Sequence, residues 1–98
     1  MPHLRLSARA QSDISRLHQF LFAKDADAAK RAVLAIREAF VPLRLFPLIG
    51  RPVEDSADLR ELVIDFGASG YLALYRFEAT ENAVTILALK HQREDDYK

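Results

Sequence analysis

The polar segment from Lys90 to Tyr97 has the side chains best suited to chemistry, and it follows an apolar run that is typical of a β-strand. His91 could shuttle protons, and Arg93 could hold a phosphate group. Tyr97 could stack on a nucleic-acid base or donate a hydrogen bond. The alternative is a solvated, charged tail, which composition alone favours. The segment is therefore a candidate acid–base cluster, and a solvated tail is the simpler alternative.

Other polar residues give weaker signals. Arg60 and Arg76 fall within predicted strands, where cross-strand ion pairing explains them without a function. A metal site formed by His91 and Asp95 is a poor candidate, because a chain end rarely fixes ligand geometry. The sequence has no cysteine, no phosphate-binding glycine-rich loop and no nucleophile elbow. We therefore expect neither a metal nor another cofactor.

Length and charge limit the functional classes. Ninety-eight residues are enough for one domain, which we place at residues 1–98. The chain has 14 basic and 14 acidic side chains, which argues against binding nucleic acid through broad positive charge. Residues 1–50 nevertheless carry eight basic and four acidic side chains, whereas residues 51–98 carry six and ten. Such a dipolar protein can dock an oppositely charged partner on either half. The alternative is that the unequal charge of the two halves has no function and only follows from which residues are exposed to solvent.

No segment has the composition of a targeting or membrane sequence. The first residues contain no apolar run long enough for a signal peptide, and no stretch approaches the ~18 apolar residues of a membrane span. We therefore expect a soluble protein of the cytoplasm, with no membrane partner and no sequence-specific DNA binding by this chain alone.

Hydrophobic periodicity predicts a short strand and then two helices in the first half of the chain. Residues 3–7 alternate as in a strand, and Ser7 and Asp25 are placed to cap the helices that follow. In each helix the apolar residues recur at spacings of three and four, as on one buried face. The two stripes are Ala10, Ile14, Leu17 and Leu21, and then Ala29, Val33, Ile36, Phe40 and Leu43.

The second half of the chain changes to a period of two. Residues 50–52 are typical of a turn, and from Leu59 onward the pattern predicts three strands joined by turns at 67–70 and near 81–82. The last strand is almost continuously apolar, as expected for a strand covered on both faces. The order is β-α-α-β-β-β, and we predict an α+β fold in which a helical hairpin packs on a small antiparallel sheet.

Several large apolar residues fall outside the two helical stripes. They either cover the sheet or remain exposed, and an exposed group of this size implies a partner. These residues are Phe20, Phe22, Leu34, Val41, Leu45 and Phe46.

The motifs, taken in order, resemble the RelE/ParE superfamily of toxins from type II toxin–antitoxin modules, which are also described as plasmid stabilisation proteins. The resemblance covers nearly the entire chain and implies the same β-α-α-β-β-β fold. The matching motifs are Leu6-Ser7-x-x-Ala10-x-x-Asp13-Ile14, Leu45-Phe46-Pro47-x-x-Gly50-Arg51-Pro52, Leu59-Arg60-Glu61-Leu62, Ser69-Gly70-Tyr71-x-x-x-Tyr75-Arg76, and Ile86 to Glu94 with Tyr97.

The resemblance implies a protein partner. Family members bind an antitoxin whose C-terminal part wraps across the helical hairpin and the sheet. Because such antitoxin segments are often acidic, this partner would account for both the basic helical half and the surplus apolar residues. The residues that we expect to contact the antitoxin or the target are Arg51, Arg60, Arg76, Lys90, His91, Arg93, Phe20 and Phe22.

The resemblance also implies one of two activities, since RelE-like members cleave messenger RNA in the ribosome and ParE-like members poison DNA gyrase. RelE-like nucleases carry lysines on the second predicted strand and an arginine just after the tyrosine of the third. Here those places hold Val63, Asp65 and Leu72, whereas cleavage requires cations to hold and stabilise the phosphate. The sequence therefore favours a ParE-like inhibitor that is not an enzyme.

Two alternatives stay open. In a RelE-like nuclease, His91 would be the acid–base residue, Arg93 and Arg76 would hold phosphate, and Tyr97 would stack on the substrate base. In a non-toxic relative, the chain would bind an antitoxin and have no target.

Overall fold

The computed structural model describes residues 1–97, and Lys98, at the end of the predicted domain, lies outside this range. Within it the chain forms five strands and two helices. In chain order these are β1 (His3–Leu6), α1 (Ala8–Phe22), α2 (Ala26–Leu45), β2 (Arg51–Pro52), β3 (Leu59–Phe66), β4 (Ser69–Glu78) and β5 (Ala83–His91).

Both helices begin close to the predicted positions because a side-chain oxygen caps each first turn. The Ser7 hydroxyl accepts a hydrogen bond from the Ala10 N–H at 3.0 Å, and the Asp25 carboxylate accepts one from the Ala28 N–H at 3.1 Å. Every member of the two predicted apolar stripes is buried or half-buried. The helical hairpin is therefore confirmed. In residues 1–97 neither helix is long and apolar enough to cross a membrane.

The strands form one sheet in the order β1-β5-β4-β3-β2. The α+β class is confirmed, but the sheet differs from the prediction in four details. β4 begins at Ser69, so the turn predicted at 67–70 covers only residues 67–68, and β5 extends to His91. β1 pairs with β5 in parallel. The two helices carry the chain from β1 at one edge of the sheet to β2 at the other edge, and β3 and β4 then lead back to β5 beside β1. The predicted turn at 50–52 contains the two-residue strand β2, in which Arg51 pairs with Glu61 of β3. A strand this short shows no periodicity in the sequence.

The core lies between the two helices and one face of the sheet. Tyr75 on β4 is fully buried in it, and its hydroxyl accepts a hydrogen bond from the Gly50 N–H at 2.8 Å. A side chain at Gly50 would place its Cβ 2.6 Å from the Tyr75 ring, so only glycine allows this approach. The chain that leaves α2 is thereby fixed to the centre of the sheet.

β5 contains a bulge that divides it into two parts. Leu74 of β4 pairs with Ala88, but the next residue, Tyr75, pairs with Ile86, so Leu87 is an extra residue. Residues 83–86 pair with β1 on the outer side, whereas the part after Leu87 has no strand there. Lys90 and His91, which the sequence analysis placed after the last strand, are the last two residues of this second part, and Arg93 and Tyr97 follow it.

Candidate functional site

The C-terminal segment turns back over the sheet directly after β5. The Glu94 N–H donates to the carbonyl of His91 at 3.0 Å, and the Glu94 carboxylate accepts from the His91 N–H at 3.0 Å. The Lys90 ammonium donates to the Glu94 carbonyl at 2.9 Å. These bonds hold residues 91–94 as a tight turn, which brings Tyr97 onto the sheet face that does not contact the helices.

Arg51, Glu61, Lys90 and Tyr97 meet on this face, and we call them the sheet-face cluster. The Tyr97 hydroxyl donates to the Glu61 carboxylate at 2.7 Å, and the Arg51 guanidinium donates to the same carboxylate at 2.9 Å. The Lys90 ammonium lies 5.3 Å from the centroid of the Tyr97 ring, within range of a cation–π contact. The carboxylate of Glu61 is therefore the centre on which the tail and β2 converge.

The ionisation of this cluster follows from these contacts. Partial burial acts to raise the pKa of Glu61, but the hydrogen bonds from Tyr97 and Arg51, with the nearby positive charges, outweigh it and lower the pKa below its ordinary value. Burial raises the pKa of Tyr97, and its hydrogen bond to the Glu61 carboxylate raises it further. At neutral pH the cluster thus contains a carboxylate and a neutral phenol.

His91 lies on the opposite face of β5, towards the helices. Its ring packs edge-on against Tyr71, with centroids 5.6 Å apart. Nδ1 accepts a hydrogen bond from the Arg93 N–H at 3.1 Å, and Nε2 lies 3.1 Å from the Ser69 hydroxyl. Because Nδ1 accepts, the neutral ring carries its hydrogen on Nε2 and donates it to Ser69. Both ring nitrogens are thus engaged within the protein.

The structure therefore separates the three residues that the sequence grouped as catalytic candidates. Tyr97 lies on one face of the sheet beside Lys90, and His91 lies on the other face. Lys90 and His91 are consecutive residues of β5, and consecutive residues of a strand point to opposite faces. The Arg93 side chain is exposed and lines a groove beside His91. No group of three or more metal-binding side chains lies close together in residues 1–97.

The remaining basic candidates have mainly structural contacts. Arg60 donates to the carbonyls of Leu48 and Gly50 at 3.0 and 2.8 Å, which holds the exit of α2 against β3. Arg76 lies 3.6 Å from the Glu78 carboxylate, and its buried Nε has no hydrogen-bond partner in the described part of the chain. Among all the basic residues that the sequence analysis named, Arg51 and Lys90 are the ones that belong to the sheet-face cluster.

α1 takes the place of a strand beside the second part of β5. The Ser7 hydroxyl donates to the Leu87 carbonyl at 2.9 Å, and the buried Asp13 carboxylate accepts from the Leu89 N–H at 3.0 Å. Arg16 continues this series, since its guanidinium lies 3.1 Å from the Glu94 carboxylate. Polar side chains of a helix thus satisfy the free strand edge and fix the start of the C-terminal turn.

All six surplus apolar residues are exposed, so of the two alternatives that the sequence left open, the structure has the exposed surface. Phe20 and Phe22 are 64% and 57% exposed at the end of α1. The Lys24 ammonium lies 4.3 Å from the centroid of the Phe20 ring. The others lie along α2 and its exit and are Leu34, Val41, Leu45 and Phe46, joined there by Leu48 and Ile49.

Comparison with known proteins decides the family. A family model described as the ParE toxin of the type II toxin–antitoxin system, parDE, matches residues 4–96. The chain belongs to this toxin family. It is also 33% identical over 94 residues to Toxin RelE3 of Caulobacter vibrioides, a match that spans 96% of this chain and 98% of the relative. The resemblance to the RelE/ParE superfamily is thereby confirmed.

Solved structures share the fold of this toxin. A chain of the chromosomal ParDE toxin–antitoxin system from P. aeruginosa is similar with a TM-score of 0.78 and 22% identity, covering 93% of this chain and 96% of that one. A chain of the E. coli RelBE toxin–antitoxin complex is similar with a TM-score of 0.67 and 14% identity, covering 96% and 100%. At these identities the likeness establishes the architecture alone.

Sequence reasoning missed three residues that organise the site of the toxin. Asp13 and Arg16 position β5 and the turn after it, and Glu61 anchors Tyr97. Asp13 had a detectable signal, because it lies between Ala10 and Leu17 at helical spacing and therefore on the buried stripe. Glu61 belongs to the matching motif at residues 59–62, but nothing in that motif marks it as the anchor of Tyr97, since a charged residue on one face of a strand is ordinary.

Proposed function

We propose that this toxin acts by binding DNA gyrase and that it does not cleave RNA. The observation that carries the proposal is the Glu61 carboxylate at the centre of the sheet-face cluster. The face on which Tyr97 lies is the place where a nuclease of this superfamily would need cations. A carboxylate there repels the phosphate of a substrate, and its low pKa keeps it ionised at neutral pH.

The surroundings of Glu61 support the same conclusion. Val63 is exposed beside it on β3, and Leu72 and Leu74 lie across from these residues on β4. The two cations of the cluster are already engaged, since Arg51 pairs with Glu61 and Lys90 donates to the carbonyl of Glu94. Little cationic surface is left to hold a phosphate chain in position for in-line attack.

His91 also argues against nuclease chemistry. A general base must reach the proton that it removes, and the substrate must contact the remaining catalytic groups at the same time. His91 lies on the face opposite Tyr97, and both of its ring nitrogens have partners within the chain. A toxin that acts by binding needs no acid–base pair, and this arrangement suits it.

We further propose that a cognate antitoxin covers the exposed face of α2. Leu34 and Val41 lie seven residues apart on that face, a spacing that places both on one side of a helix. Lys30, Arg37 and Arg44 repeat at the same interval. An acidic amphipathic segment complements alternating apolar and basic positions, as in recognition of a helix in a groove. Solved relatives such as E. coli RelBE are toxin–antitoxin complexes.

The test of the activity is induction of the chain alone in a bacterial host, with soluble protein verified. We expect growth inhibition, loss of plasmid supercoiling and a DNA-damage response while messenger RNA stays intact. Early translation arrest with cuts inside codons would favour the RelE-like alternative, for which Tyr97 on the sheet face beside Lys90 is the supporting observation. Normal growth would favour the non-toxic alternative. Both candidate targets are cytoplasmic, and we propose the same location for the toxin.

A substitution separates binding from catalysis. His91→Ala in a nuclease that uses this residue should lower the cleavage rate by about 10²-fold or more. In a gyrase inhibitor the same change should alter the concentration needed for inhibition only modestly. His3→Ala, at an exposed histidine on β1, is the matched control.

A further inference from the structure

A groove of about 770 Å³ lies between the C-terminal half of α1 and the turn that joins β3 to β4. Its apolar lining includes Leu17 and Tyr71, which belong to the core, and Leu21 and Phe66, which pack against the core. The groove is therefore an open end of the hydrophobic core. Its volume falls within the range of about 300–1,000 Å³ that is usual for ligand sites.

The charged residues along the groove are mostly basic. Arg16, Lys24 and Arg93 line it together with a single acidic residue, Glu94. The Glu94 carboxylate contacts both Arg16 and the backbone N–H of His91. The side chains of Lys24 and Arg93 are exposed, and neither forms an ion pair within residues 1–97. The groove thus has an excess of positive charge although residues 51–98 are acidic overall.

We propose that this groove docks an acidic segment of the toxin's protein target, with a bulky apolar side chain inserted between α1 and the β3–β4 turn. The apolar lining takes the inserted side chain, and Lys24 and Arg93 take the flanking carboxylates. Phe20 also lines the groove and is 64% exposed, so the apolar lining extends to the solvent-exposed surface. The inference deepens the proposed function, since a toxin that acts by binding requires a contact surface for its target.

A protein segment fits the groove better than a phosphate-bearing ligand. A buried phosphate needs several donors that converge on one point. The side-chain hydroxyls among the described lining residues are those of Ser69, which is bonded to His91, and of Tyr71, which is buried in the core. The cations are long exposed side chains, which suit carboxylates along a flexible chain. We assign the target to this groove because the groove adjoins the C-terminal segment. We assign the antitoxin to α2 because the groove has room for only a short peptide segment.

The first test measures binding directly. The full chain, labelled with ¹⁵N, is titrated in an NMR experiment with a capped peptide of the sequence Glu-Asp-Phe-Leu-Asp-Glu. Separate titrations use a second peptide, in which Ser-Ser replaces Phe-Leu, and inorganic phosphate. We expect shifts of groove residues with the first peptide only, and a dissociation constant on the order of 1 mM. No shifts, shifts confined to the face of α2, or equal shifts with phosphate would each overturn the proposal.

Charge reversal identifies the contacts. Lys24→Glu and Arg93→Glu should each weaken peptide binding by roughly three- to tenfold, because each replaces attraction with repulsion at an exposed site. Arg5→Glu is the matched control, since Arg5 is an exposed arginine on β1 whose side chain pairs with the exposed Glu81. If the control weakens binding as much as the groove variants, the contact is not local and the proposal fails.

The second test separates target from antitoxin in cells. The double variant K24E/R93E should lose growth inhibition by the induced toxin while it still binds the cognate antitoxin. A variant that stays fully toxic overturns the groove proposal, and so does one that stays toxic but escapes neutralisation. If the unmodified chain inhibits growth without affecting gyrase, the gyrase proposal fails while the groove result still stands on its own.

Discussion

Replacing Tyr97 by phenylalanine removes one oxygen atom and tests how the C-terminal segment is held. The Tyr97 hydroxyl donates to the Glu61 carboxylate at 2.7 Å, and a hydrogen bond to a charged group contributes about 1.5–3 kcal/mol. Glu61 is only 16% exposed, but it keeps its bond to Arg51 after the substitution. We therefore expect a loss of about 1–2 kcal/mol, which corresponds to a 5- to 30-fold larger open population of the segment.

The pKa of Glu61 gives a second reading of the same contact. In the native protein it lies below the ordinary value of 4.5, so the stabilisation from Glu61 is complete above that pH and is lost as the pH falls through the lowered pKa. Y97F removes one of the interactions that lower it, while partial burial still acts to raise it. The pKa of Glu61 should therefore rise, and the acid branch of the stability curve should become shallower.

Carboxyl ¹³C titration by NMR and urea unfolding measure these two effects. Y71F is the matched control, because the Tyr71 hydroxyl forms no hydrogen bond within the described residues and the change is otherwise identical. We expect the control to leave the pKa of Glu61 unchanged. If Y97F and Y71F shift the pKa of Glu61 and the unfolding free energy equally, the sheet-face cluster does not hold the tail and the reasoning is refuted.

Further predictions concern the contacts that position the site. Y75F should lower the free energy of unfolding by about 1–3 kcal/mol in urea, because it leaves the Gly50 N–H buried without an acceptor; an unchanged midpoint would contradict this. Asp13→Ala should lower it by about 2–3 kcal/mol and accelerate hydrogen exchange of the Leu89 amide, whose acceptor is lost. Burial raises the pKa of all three tyrosines above 10.0, so tyrosinate absorbance should appear at higher pH in the native protein than in urea; identical titrations would count against these burials.

Local patterns in the sequence predicted most of the fold. The helical stripes, the capping residues Ser7 and Asp25, and the change to a period of two after Leu59 all depend on residues a few positions apart. Such patterns report directly on the periodicity of a helix or strand. The direction of β1 and the pairing of β2 depend on residues far along the chain and on strands too short to show a period. These two features were therefore not predictable.

The candidate site shows the same division. Alternation along β5 already implies that Lys90 and His91 point to opposite faces, but only the turn at residues 91–94 decides that Tyr97 joins Lys90. Likewise, the residue types predicted that large apolar side chains were in excess, whereas burial in the folded chain decided that all six are exposed.

The sequence by itself indicated the family and the α+β class, and it has Val63, Asp65 and Leu72 where the resemblance to RelE-like nucleases leads us to expect cations. Those properties follow from residue identities and short spacings. Only the tertiary structure decided that Glu61 stands at the centre of the sheet face, that His91 faces the helices, and that an open end of the core has a basic rim. Each of these depends on side chains that are distant in the chain and adjacent in space, and no local pattern encodes such a contact.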